Sequence, residues 1–170
     1  MGPIVEPAAP RAPFDPATRA RLRAFARGEL TWAEVEGLTF ERATAIAQIG
    51  CDLAQAGRLE EARVIFEGLV TMNPSDSGAA GALGTVFQRL GCLDEALAAY
   101  DSALAADPDN AVALAHRGEL RLRTGDQRGL DDLACAVRAD VEGRTAASRR
   151  ARAVLSALTA SASSPAPRPP

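Results

Sequence analysis

From Ala43 onward the apolar residues keep a helical rhythm, three or four positions apart, with charged residues between them. Ile46, Ile49 and Leu53 make one inward stripe, and Ala62, Ile65, Phe66 and Leu69 make a second that faces it. The pattern predicts paired helices near 40–56 and 59–72, near 77–90 and 93–106, and again over 111–140. A closing helix over about 145–158 sets Val154, Leu155 and Leu158 against Arg149, Arg150 and Arg152 on its other side. Ahead of the pairs, residues 17–27 read as helix and stop at Gly28. Thr31 and Glu34 then carry the signature of a capping box, with Leu30 placed to staple onto Val35. That short helix breaks at Gly37, and Thr39 caps the next. The chain reads as all-α.

The pairs repeat every 34 residues. Gly50, Gly84 and Gly118 keep that interval, as do Gly57, Gly91 and Gly125. Ala62 recurs as Ala96, Leu59 as Leu93, Phe66 as Tyr100 and Pro74 as Pro108. This is the period of the tetratricopeptide repeat, a helix–turn–helix unit that stacks into an α-solenoid. Each column has a physical reason. The first glycine lets helices A and B of a repeat approach, and the second takes the positive φ that ends helix A. The alanines leave room at the helix crossing for Phe66 and Tyr100, and the prolines stop helix B. Gly78, Gly81 and Gly84 crowd one face of helix A in repeat two, which reads as close backbone packing or drift of composition, with a soft helix that tightens on binding as the alternative. In repeat three the small-then-large pair reads as Leu130/Ala134, arginines (Arg117, Arg121) replace apolar residues, and Glu142 replaces the closing proline. A looser, more solvated repeat is expected there.

Five segments follow. Residues 1–16, with five prolines, are expected to be disordered, and 17–38 form an N-terminal helical extension. Three repeats occupy 39–142 (about 43–76, 77–110 and 111–142), a capping helix 143–158, and a disordered Ser/Pro-rich tail 159–170.

Composition narrows the function. A net charge of −3, with all 19 basic residues arginine, argues against nucleic acid as a partner. Neither a signal peptide nor an 18-residue apolar run is present, which points away from the membrane and to the cytoplasm. Cys51, Cys92 and Cys135 are isolated thiols. The single histidine, His116, is expected to pack rather than to ligate, and Asp131-Asp132 to be solvated. With no P-loop, dinucleotide fingerprint, HExxH or GxSxG, the chain reads as no enzyme, with no metal and no cofactor.

Binding is what remains. In this repeat, helix A lines the concave side. Its inner positions are Thr44, Ala47, Cys51 and Ala54, then Gly78, Gly81, Thr85 and Gln88, then Val112, Ala115, Glu119 and Leu122. Gln55, Arg89 and Arg123 stand at the edge. The Lys, Asn and Arg set with which other tetratricopeptide proteins clamp carboxylates is missing. A groove of small side chains suits an extended peptide that inserts bulky apolar residues of its own.

Several runs resemble the tetratricopeptide chaperones that guard hydrophobic translocators of type III secretion, over about residues 15–158. Arg27-Gly28-Glu29-Leu30-Thr31-Trp32-Ala33-Glu34-Val35 is similar to that family's short helix leading into repeat one. Gly57 to Phe66 is similar to its first turn and helix B, and His116 to Leu122 to a segment of its third repeat. The resemblance implies a cytoplasmic chaperone, independent of ATP, that holds an unfolded translocator segment in the concave groove. It also implies a homodimer through the N-terminal helices, which places contacts around Leu22, Phe25, Leu30, Trp32 and Val35. One departure stands out: that family's groove is rich in Tyr and Phe, and this one in Ala and Gly. A general tetratricopeptide scaffold unrelated to secretion is the alternative.

Overall fold

The computed structural model describes residues 15–162; the segments 1–14 and 163–170, on which both terminal disorder expectations mainly fall, lie outside the described residues. Within them the chain is helical, without a strand. It divides into two units, one to Phe40 and one from Glu41.

The first unit holds α1 (Pro16–Ala26) and α2 (Trp32–Val35). Asp15 caps α1, accepting from the amides of Ala17 and Thr18, and Pro16 takes the first helical position, where its missing N–H costs nothing. At α2 the capping box closes: Glu34 accepts from the Thr31 amide at 2.7 Å, and Thr31 accepts from that of Glu34.

The second unit stacks the repeats as α3 (Phe40–Gln55) with α4 (Leu59–Met72), α5 (Ser77–Leu90) with α6 (Leu93–Ala106), and α7 (Ala111–Arg123) with α8 (Gly129–Ala139). It ends in α9 (Ala146–Ala162), which continues past the expected end near 158. The A–B turns use Gly57, Gly91 and Gly125 at φ of +80°, +84° and +86°. A Cβ on Gly50 would stand 2.8 Å from the Phe66 ring, and one on Gly84 2.6 Å from that of Tyr100. These glycines are therefore what let the aromatic rings sit under helix A. The core is mostly alanine around Tyr100, Leu120 and Leu133, so the helices run close and each contact is small.

Four expectations change. Ile49 is 54% exposed, because the first repeat has no repeat before it to cover that side of α3. In repeat three the crossing pair is Gly129/Leu133, not Leu130/Ala134. The crossing falls one place earlier than the 34-residue period sets it, and a Cβ on Gly118 would meet the Gly129 carbonyl at 2.8 Å and Leu133 at 2.9 Å. Nor is this repeat loose. Arg117 grips Asp132 through two bonds of 3.0 and 2.7 Å and reaches Asp101 on α6 at 2.6 Å, while Arg121 reaches Asp132 at 2.7 Å. Asp132, expected to be solvated, is buried beneath both guanidiniums.

The missing third proline is also compensated. Asp140 accepts from the amides of Arg144 and Thr145, which hold its carboxyl well below the usual range. Arg149 and Arg152 donate to carbonyls of the same turn.

Candidate functional site

The helix A stripe of the first two repeats encloses a cavity of about 480 Å³. Cys51, Ala54 and Gln55 of α3 form one wall, and Gly78, Gly81, Ala82, Thr85 and Arg89 of α5 the other, with Asn110 and Val112 at the start of α7. Phe66 and Val86 reach it from the core. Small residues recurring at 78, 82 and 85 keep one face of α5 open, since glycine and alanine place little or nothing above the backbone. A Cβ on Gly81 would reach ordinary contact with Ala113 of the next repeat, so the gap lies between helices that already run close.

Two polar links fix the walls. Arg89 donates to the Ala54 carbonyl at 2.6 Å, which ties α5 to the C-terminal turn of α3. Asn110 caps α7 through its side-chain oxygen and donates to the Ser77 hydroxyl at 2.7 Å, which ties α7 to α5.

The structure thus brings the expected Cys51, Ala54, Gln55, Gly78, Gly81, Thr85, Arg89 and Val112 together around one space. Thr44 and Ala47 do not line it. Ala115 is a correction: it is fully buried, in one core cluster with Ala147 and Ala151 of α9, because the capping helix packs on α7. Leu122 is another, for it lies against Gly129 between α7 and α8. Glu119 is tied to Arg150 of α9 at 3.2 Å, and Arg123 is exposed. Ala82, Val86, Phe66 and Asn110 line the cavity beyond the expected set. For Ala82 the signal is in the sequence, since 78, 82, 85 and 89 make a better helical stripe than 78, 81, 85 and 88. Phe66 and Val86 are core residues, and helical periodicity does not tell that one edge of each also reaches the groove.

Beside the cavity, the Tyr100 hydroxyl donates to Gln88 at 2.9 Å and lies 3.3 Å from the Thr85 hydroxyl, so Gln88 faces the core tyrosine rather than open groove. His116 stacks on the Tyr100 ring, centroids 6.0 Å apart, and burial holds its pKa below the ordinary value. It is a packed residue. Burial also pushes the Tyr100 hydroxyl up to about 12 from 10.0. The unfolded chain therefore ionises first: stability is full below pH 10 and falls as pH rises towards 12. Tyr100 is the only tyrosine, so phenolate absorbance reads it alone. We expect a titration well above that of free tyrosine, coincident with loss of helical signal, and in Tyr100→Phe no alkaline loss over that interval.

In the first unit, Phe25 and Trp32 meet edge to face at 5.6 Å and both remain exposed. Leu22 and Leu30 are half-buried. Val35 is a correction, being 5% exposed in its own chain and so unavailable to a partner.

Comparison with known proteins agrees with this geometry. The family model described as tetratricopeptide repeat matches residues 48–111 and 82–127. PcrH from Pseudomonas aeruginosa superposes with a TM-score of 0.64 at 27% identity, over 72% of this chain and 96% of that one. PcrH in complex with the chaperone binding region of PopD gives 0.64 at 28%, over 73% and 96%. The Yersinia enterocolitica type III secretion translocator chaperone SycD gives 0.69 at 22%, over 75% and 98%. Residues 48–127 match the tetratricopeptide repeat, and the chain has the fold of the type III secretion translocator chaperones. A curated relative, cellulose synthase operon protein C of Komagataeibacter xylinus, is 36% identical over 80 residues, which is 47% of this chain and 6% of that protein. Spanning so small a part of that protein, the match carries nothing about its role to this chain.

Proposed function

We propose that this chain is a cytoplasmic chaperone that holds an extended, hydrophobic segment of a translocator-like partner in the groove between α3, α5 and α7. The observation that carries the reading is the apolar cavity of about 480 Å³, walled by small residues on the helix A side. Such a space takes bulky side chains from outside, and an extended peptide supplies them with little steric demand of its own. PcrH has been solved with the chaperone binding regions of PopB and PopD, and SycD with a peptide of the translocator YopD, which supports a client of that kind. Among the described residues no helix is long and apolar enough to cross a membrane, and no cluster of His, Cys, Asp or Glu is arranged to hold a metal. Binding, not chemistry, is the proposed role, with no cofactor.

A homodimer through the exposed Phe25–Trp32 edge belongs to the same reading; a SycD structure is described as an alternative dimer.

The test is recovery of the client. The full chain, tagged at its C-terminal end and isolated from its own cells, is expected to bring down one protein with long apolar segments in near-equal amount. Ala82→Trp fills the cavity from a half-buried wall position, and we expect it to lose that client by about tenfold or more while its helical signal is unchanged. Undiminished recovery by Ala82→Trp, or recovery of folded soluble proteins alone, would overturn the reading.

A further inference from the structure

We propose that the groove selects client segments whose acidic side chains follow the apolar anchor. This inference rests on the groove reading above and adds a charge requirement to it. The chain is acidic overall, at −3, yet the cavity lining contains no carboxylate and one guanidinium, Arg89. Arg89 spends a single N–H on the Ala54 carbonyl, of the five that a guanidinium carries. No carboxylate pairs with it among the described residues.

One repeat further, at the same register, stands Arg123. It too is exposed, and no carboxylate pairs with it among the described residues. It stands at the same place on helix A as Arg89, one repeat along the stack, so the two guanidiniums fall on the same side of successive A helices. Glu119, one turn before Arg123, is already paired with Arg150. Two guanidiniums therefore stand in register, one of them lining the apolar cavity, and no carboxylate among the described residues pairs with either.

Geometry sets the spacing. Neighbouring helices pack about 8–10 Å apart, and an extended chain advances about 3.3 Å per residue. Carboxylates about three residues apart would thus meet Arg89 and Arg123 in turn. In repeat one the same register position is Gln55, which is neutral, so the ladder runs only towards repeat three. An arginine-lined edge favours acidic segments through charge-assisted bonds and disfavours basic ones by repulsion.

Panning a random dodecapeptide library on the full chain tests this. The enriched peptides are expected to share a bulky apolar residue followed by two Asp or Glu about three residues apart. A synthetic consensus peptide should bind about tenfold tighter at low salt than its Asn/Gln counterpart, and the advantage should shrink in high salt. Arg123→Gln, at an exposed site, should reduce the gap to about threefold. An apolar consensus without acids, or equal binding of acid and amide peptides, overturns the charge requirement and leaves the groove reading standing. Peptides that bind Ala82→Trp as well as the native chain overturn the groove reading, and this inference with it.

Discussion

Asp132→Ala is expected to cost the fold about 3 kcal/mol, seen as a fall of roughly 6–12 °C in melting temperature. The carboxylate is 8% exposed and neutralises Arg117 and Arg121, which are themselves only 16% and 17% exposed. Removing it leaves two guanidiniums facing each other at the junction of α6, α7 and α8. Asp101 relieves part of this, at 2.6 Å from Arg117 and 3.8 Å from Arg121, and Asp126 stands 3.9 Å from Arg121, but Asp101 is 56% exposed and solvent-screened and the longer contacts are weak. The cost comes from the stranded charges and not from any large worth of the ion pairs. Replacing all three together, Arg117→Met, Arg121→Leu and Asp132→Leu, is therefore expected to recover most of the loss. A melting temperature for Asp132→Ala within about 2 °C of the native chain would show that the cluster is solvated after all.

Gly118→Ala is the second large effect, expected at about 2–3 kcal/mol by urea unfolding. The added methyl would stand 2.8 Å from the Gly129 carbonyl oxygen, a backbone atom, and 2.9 Å from Leu133, a buried side chain. Neither yields without moving α8 away from α7. The intrinsic helix preference for alanine returns up to about 1 kcal/mol, so the clash outweighs it. Gly68→Ala is the internal control. It lies in α4, where an added Cβ meets nothing within 4 Å, so the helix preference acts alone and the protein should gain up to about 1 kcal/mol. Equal stability of Gly118→Ala and Gly68→Ala would remove the close-approach explanation.

Much of this architecture was legible along the chain. The columns that recur every 34 residues are set by local backbone needs: a positive φ at Gly57, Gly91 and Gly125, and a missing side chain at Gly50, Gly84 and Gly118. Such needs leave a residue-type signature whatever the neighbours are. The part of the candidate site formed by Cys51, Ala54, Gln55, Gly78, Gly81, Thr85, Arg89 and Val112 was legible because register along a repeated helix names its inner face.

The rest depended on what packs against what. Arg117 and Arg121 read as solvent-facing until Asp132 is brought beneath them from the next helix, a pairing that sequence separation hides. Ala115 holds the same register position as Gly81, yet α9 covers it, and no pattern within α7 announces where a later helix will lie. Leu130/Ala134 looks like the crossing pair only while the 34-residue period is carried into α8, where the packed register falls one place earlier. By itself, then, the sequence determined the helices, their caps and their repeat, since those follow from backbone conformation and local hydrogen bonding. The tertiary structure decided which polar groups are buried, which inner positions stay open and where the cavity lies, because burial and electrostatic pairing are properties of the packed stack and not of any one helix.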